Sequence, residues 1–285
     1  MTRAPFKETE ASRPDFTTTP FTYTKPPNPS FRPGGGLNSL PGADAFRPDS
    51  KWRTLVPEEH GPMQVYKMLM GAISPRPVAF VSTVSSDGVR NVAPFSFFNV
   101  LSPYPVTIVV SFAHTEKGMK DTTKNILETK GFTVGIISET WVEAANIASV
   151  DAPPDVDEFA LAGLTPRASE VVAAPHVAEA AVSLEAELLH SYHLKAPDGT
   201  PTGTVILATV KRIHAKDFIF DENDEYRVLT ERLRPVSRLG GISYGRITEA
   251  YDLVRPTWAD IGQSDDVQAA LNAAKDGKDA KASGQ

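Results

Sequence analysis

No cysteine occurs in the 285-residue chain. That absence excludes disulfides, thiol nucleophiles and thiolate metal sites, so any redox chemistry has to be carried by something bound. Long hydrophobic runs are missing too. No stretch approaches the ~20 apolar residues that span a bilayer, and the N-terminus "MTRAPFKETEASRP" has no apolar core of a secretion signal. An excess of basic charge is also lacking. The formal net charge is −6, whereas nucleic-acid binders carry a basic footprint. The expectation is a cytoplasmic protein whose partners include neither nucleic acid nor a membrane.

Phosphate-binding signatures of the common nucleotide folds are absent as well. "GGG" at 34–36 has no strand before it, as a dinucleotide fingerprint requires, and no G-x-x-x-x-G-K-[ST] loop occurs. Of the six histidines, only His190 and His193 are close in sequence. In a strand their odd spacing puts them on opposite faces, so no metal site is expected.

What is present suffices for a buried core, since 41% of the residues are apolar. Nine of the 24 prolines fall in the first 50 residues, which leaves no helical or strand periodicity there. Residues 1–51 read as a poorly ordered arm, 52–256 as the folded domain, and 257–285 as a polar tail forming a frayed helix at most.

Within the domain, "PVAFVSTV" (77–84) reads as a strand, "SSDG" as a turn and "VRNVAPFSFFNVLS" as the returning strand. "PVTIVVSFA" (105–113) reads as a third strand. "DTTKNILETKG" reads as a helix with Asp121 as N-cap and Gly131 past its end. "FTVGIIS" is a strand, "ETWVEAANIAS" a short helix, and three further strands follow an acidic loop. Many strands, turn-rich joints and two short helices predict a mainly β fold, an antiparallel barrel with helical covers.

Three motifs bear on chemistry. "GISYG" (241–245) matches the G-x-S-x-G elbow that would make Ser243 a hydrolase nucleophile. That elbow needs a buried strand before it and a histidine after it, yet "RPVSRLG" is no such strand and the last histidine is His214. "HTEKGMKDTTKNI" (114–126) sets Lys117 and Lys120 just before a helix start, where free N–H groups and the dipole favour an anion. An ordinary helix start with solvated lysines explains the same residues. "NVAPFSFFNVLSPYP" (91–105) places Pro94 in a run otherwise fit for a strand. Proline suits an edge or bulge, where a ligand rather than a strand faces the backbone. Ser96 and Asn99 add a hydroxyl and an amide, and Phe95, Phe97 and Phe98 would alternate between core and ligand. A plain aromatic cluster with a bulge remains the competing account.

Four stretches in order, "SPRPVAFVSTVSSDGVRNVAPFSFFNVLSPYP", "KDTTKNILETKGFTVGIISETWVEAANIAS", "VDEFALAGLTP" and "RPVSRLGGISYGR", resemble the flavin reductase-like family with its FMN-binding split β-barrel. The resemblance covers nearly all of 52–256. It implies a Greek-key split barrel with peripheral helices, a homodimer, and FMN rather than FAD in a groove near the subunit interface. It implies that Thr83 and the segment Asn91, Ala93, Pro94, Phe95, Ser96, Phe97 and Asn99 hold the ring and ribityl chain, with Ser111 nearby. Lys120, Asp121 and Thr122 would approach the phosphate. Arg238 and Tyr244 would close the site, with Gly240 and Gly241 letting the backbone come near, and residues 149–159 would form a lid.

The activity so implied is NAD(P)H-dependent flavin reduction, with electrons passed to free flavin, oxygen, a ferric complex or a partner oxygenase. No catalytic side chain is required, because the cofactor carries the chemistry. A flavoredoxin-like electron carrier without direct NAD(P)H oxidation is the alternative, and an idle binding module a third.

Overall fold

The computed structural model describes residues 5–282. The chain divides into two compact units, Val56–Ile247 and a second one made of the chain up to Leu55 together with the chain from Thr248. In the second unit Thr22–Thr24 pairs in parallel with Glu249–Tyr251. The Ala/Lys/Asp tail, expected to fray, forms the 18-residue helix Asp265–Ala282, in keeping with the helix propensity of alanine and lysine. Among the described residues no helix is long and apolar enough to cross a membrane.

The unit Val56–Ile247 is built on one seven-stranded antiparallel sheet. Its strands are β1 (Ala79–Val84), β2 (Arg90–Phe95), β3 (Phe98–Pro103), β4 (Val106–Ala113), β5 (Gly131–Ile136), β6 (Val182–Lys195) and β7 (Pro201–Ala215). The order across the sheet is β2-β1-β5-β6-β7-β4-β3. The sheet is therefore open rather than closed, with β2 and β3 as its two edges. Only Ser96 and Phe97 separate those edges in sequence, so the sheet has to curl until its two sides come close together. The returning strand expected over 89–102 is in fact two strands, broken at this two-residue joint. There the Phe97 carbonyl accepts from the Ser111 N–H at 2.8 Å.

Both faces of β1 are covered, which explains its nearly continuous apolar run. Phe80 joins a cluster with Val92, Trp141 and Phe159, and its ring meets Trp141 edge-on at 5.3 Å. Ala79 and Val81 face the other way, into a cluster with Phe112, Ile126, Phe132 and Ile206. Helix α1 (Pro62–Ala72) was not expected; only Met70 on it is buried, and its other large apolar side chains Met63, Tyr66, Met68 and Leu69 are exposed. Helix α2 is Asp121–Thr129, α3 Val142–Ile147 and α4 Glu158–Ala162.

Two details at α2 differ from expectation. Lys120, not Asp121, is its N-cap, and no side chain caps it. The left-handed residue at its end is Lys130 (φ 65°). Gly131 is needed for close approach instead, since a Cβ there would lie 2.9 Å from Val172 Cβ.

Candidate functional site

A cavity of about 390 Å³ opens beside edge strand β2 and the start of α2, large enough for a small-molecule ligand. Asn91, Ala93, Pro94 and Phe95 line one wall, Lys120, Asp121 and Thr122 another, and residues 148–154 with Glu158 a third. Seven of the residues singled out in the sequence thus meet at one place.

The wall formed by β2 is an unpaired sheet edge, because among the described residues β2 pairs only with β1. The Val92 N–H points outward on this edge, donating to Glu158 Oε2 at 2.9 Å. Pro94, two residues on, has its nitrogen on the same outward side, so its missing N–H removes no bond from the ladder. Phe95 anchors the strand through an edge-on contact with Phe112 at 4.6 Å.

Asn91 is the centre of a polar network behind the cavity. Its Oδ1 accepts from the Thr83 hydroxyl at 3.2 Å and the Thr122 hydroxyl at 2.8 Å, and its Nδ2 donates to Glu158 Oε2. Asn125 Nδ2 in turn donates to Thr83 Oγ1 at 3.0 Å. Thr83 is fully buried and Thr122 nearly so. Both therefore orient Asn91 instead of presenting their hydroxyls to a ligand.

Helix α2 starts without a side-chain cap, and the residues at this start, Lys120, Asp121 and Thr122, line the cavity. Lys124 is bound back to Asp121 at 3.1 Å. The loop over the mouth is tied down twice, by a Lys117–Asp151 ion pair and by Arg90 on Asp157. Asp157 also caps α4 by accepting from the Phe159 N–H at 3.0 Å. The Lys117 hydrogen bond and charge hold the Asp151 carboxyl below its ordinary value.

Glu158 was not singled out as a site residue, although it lies in the stretch "VDEFALAGLTP" and within the lid expected over 149–159. It is 8% exposed. Burial pushes its carboxyl above the usual range, the hydrogen bonds from Asn91 and Val92 partly oppose this, and the nearby Asp121 and Asp157 charges add to it.

The remaining expected residues lie elsewhere. Ser96 Oγ accepts from Arg76 Nε at 3.3 Å. That guanidinium, 7% exposed, also donates to the carbonyls of Met70, Ile73 and Leu239, tying the end of α1 to the unit. Phe97 sits at the joint, and Asn99 is exposed with its side chain turned to the N–H of Val100. Ser111 contacts the joint through its backbone. Arg238 stacks on Tyr244 at 4.5 Å, and the Tyr244 hydroxyl donates to Asn146 Oδ1 at 3.3 Å on α3. Neither residue lines the cavity; Asn146 lies two residues before Ala148, which does. Gly240 meets Gly71 of α1, where a Cβ would come within 3.3 Å of Gly71 Cα. Ser243 lies in the turn between paired strands Val236–Arg238 and Tyr244–Arg246, which is no strand-to-helix elbow.

A second polar cluster lies away from the cavity. The Glu185 carboxylate, fully buried, accepts the successive N–H groups of Glu170, Val171 and Val172 and bonds the His214 ring at 2.6 Å. Burial pushes this carboxyl up, but the three N–H donors and His214 outweigh it and hold it below its ordinary value. His176 stacks on His214 at 4.8 Å, and burial pushes the His176 ring down.

Residues 70–229 match a family described as the flavin reductase like domain. An uncharacterized protein of Halalkalibacterium halodurans is 39% identical over 204 residues, 71% of this chain and 96% of that protein. The crystal structure of nitrilotriacetate monooxygenase component B from Bacillus cereus is 35% identical, with a TM-score of 0.68 over 72% of this chain and 100% of that one. Pseudomonas fluorescens 2-nitrobenzoate 2-nitroreductase is 27% identical, with a TM-score of 0.63 over 72% of this chain and 98% of that one.

Proposed function

The chain belongs to the flavin reductase-like family, and from that premise we propose that it is an FMN-binding oxidoreductase reduced by NADH or NADPH. The observation that carries this reading is the pairing, in one cavity, of an uncapped helix start beside Lys120 with the unpaired edge of β2 at Pro94. The donor set suits a flavin mononucleotide. A phosphate monoester needs N–H donors and a cation, and α2 with Lys120 supplies both. A flat ring needs an apolar wall with backbone polar groups at its margin, and Ala93, Pro94 and Phe95 supply those.

When bound, the flavin supplies hydride acceptance and onward electron transfer. The chain's own work is binding and exclusion. Lys120 and the N–H groups of Asp121 and Thr122 hold the phosphate. Asn91, set by Thr83 and Thr122, fixes the β2 edge. Residues 149–158, tied by Asp151 and Asp157, shield the cavity from water. Arg238 and Tyr244 flank the outer side, and Ser96, Phe97, Asn99 and Ser111 shape the joint between the sheet edges, which we read as the split of the barrel.

A second copy is the proposed cover for the exposed side chains of Val100, Leu101 and Tyr104 on and after β3, and of Leu189, Tyr192 and Leu194 on β6. The similarity to a monooxygenase component B favours a partner oxygenase as electron acceptor. The similarity to a nitroreductase favours direct transfer to a small organic substrate as the second reading.

The test is anaerobic. FMN is added to the purified chain, the flavin band is recorded, and NADH and NADPH are added separately. A perturbed band that bleaches far faster than free FMN is expected with one nucleotide. A perturbed band that neither nucleotide bleaches indicates a flavoredoxin-like carrier. A spectrum identical to that of free FMN refutes the proposal.

A further inference from the structure

Among the described residues Glu158 stands out as a buried carboxyl with no cation of its own. Arg90, the nearest cation on β2, is committed to Asp157. On α2, Lys124 is committed to Asp121, and in the loops at the mouth Lys117 is committed to Asp151. Among the described residues Lys120 is the remaining cation lining the cavity. Asp121 from α2 and Asp157 from its own helix add like charge around Glu158. Its support consists of two neutral donors, Val92 N–H and Asn91 Nδ2, and both fall on Oε2. Oε1 has no hydrogen-bond partner among the described residues, while the residue lines the cavity.

This division of labour between the two oxygens has a chemical consequence. Oε2 can keep accepting from β2 while Oε1 carries a proton, so Glu158 can change protonation state without rearranging its neighbours. An anionic group entering beside an ionised, buried Glu158 would raise the cost of that charge, and protonation removes the cost. We propose that Glu158 is a positioning residue that takes up one proton when a phosphate monoester occupies the cavity, so that cofactor loading is proton-linked. The inference rests on reading the cavity as the flavin phosphate site. In the loaded state the neutral carboxyl holds Asn91 and Val92 in place without repelling the phosphate. Burial already biases Glu158 toward the protonated form.

The experiment is calorimetric titration of the full chain with FMN between pH 5 and 8, in buffers of different ionisation enthalpy, which counts protons exchanged. Riboflavin, which lacks the phosphate, is titrated in parallel, and Glu158→Gln is compared with the parent. The expected result is net proton uptake by the parent with FMN and none with riboflavin. Relative to Glu158→Gln, the parent's FMN affinity should weaken with rising pH by up to about tenfold per unit above the Glu158 titration. The phosphate's own ionisation, near pH ~6, is common to both proteins and cancels in the comparison. Equal uptake in parent and Glu158→Gln overturns this inference and leaves the proposed function standing. Absence of any flavin binding overturns both. If Glu158→Gln fails to fold, the parent alone decides, because identical proton exchange with FMN and riboflavin is incompatible with the proposal.

Discussion

Replacing Lys120 by alanine separates phosphate binding from structural support. Lys120 is exposed and the N-cap of α2, with no side-chain capping bond to lose. Its removal should therefore leave stability within about 0.5 kcal/mol of the parent. On the proposed placement its contribution to FMN binding is one charge-assisted hydrogen bond, worth about 1.5–3 kcal/mol. Solvent and salt screening at an exposed position favours the low end, so FMN affinity should fall roughly tenfold. Riboflavin affinity should not move. Thr122→Val is the counterpart. Its hydroxyl is spent on Asn91 Oδ1, which keeps the Thr83 hydroxyl, so the valine variant loses one hydrogen bond and costs about 0.5–1.5 kcal/mol of stability. For a unit of this size that corresponds to ~2–4 °C of melting temperature per kcal/mol. Fluorescence titration with FMN and with riboflavin, beside thermal melts, reads both effects. If Lys120→Ala weakens FMN and riboflavin equally, or weakens neither, the phosphate does not lie at α2 and the placement of the cofactor is wrong.

Glu185→Leu should cost about 3–5 kcal/mol, because it strands three N–H donors and the His214 ring; urea melts measure this. Since the folded state holds the Glu185 carboxyl below its unfolded value, its stabilisation is present above that value and is lost as pH falls through the folded one, so the variant's acid limb of stability should be flatter. Pro94→Ala should cost only about 0.4–1 kcal/mol, through the gain in unfolded-chain entropy, since no ladder bond depends on that position. A gain in stability in equilibrium unfolding would mean that the new N–H completes a ladder bond and that the nitrogen of position 94 faces β1 instead of the open edge. Glu158→Gln should be more stable relative to the parent at neutral pH than at acid pH. Burial raises the Glu158 carboxyl, and its ionisation penalty appears as pH rises through the folded value.

The sheet was legible where β-branched residues and turn signals cooperate. Asp87-Gly88 between two apolar runs gave the β1–β2 hairpin, and "PVTIVVSFA" gave β4. The break at Ser96-Phe97 was hidden because both flanking runs are apolar, and a strand that changes sides of a sheet has the same composition as one that continues. Helix α1 was not read although "MQVYKMLM" is rich in apolar residues; only Met70 of them is buried, and the helix is held at its end by Arg76. At the site, the local motifs around Pro94 and Lys120 were readable, since proline and a helix start announce their backbone needs. Glu158 was not, because "VDEFALAG" is an ordinary acidic helix start until β2, 66 residues earlier, is brought against it.

The same edge explains why Pro94 and Glu158 belong to one device. An unpaired strand presents outward N–H and C=O groups that invite another strand. On β2 the two outward donors beside the cavity are dealt with separately, Val92 by the Glu158 carboxyl and position 94 by having no N–H at all. What stays available on that side is acceptor capacity from carbonyls, suited to the N–H of a heterocycle and unsuited to a complete strand ladder. Strand pairing needs donors and acceptors in alternation, so the edge refuses a strand while remaining open to a ligand. A proline and a buried acid in a region of sheet therefore follow from one requirement, that this edge stay unpaired beside the cavity.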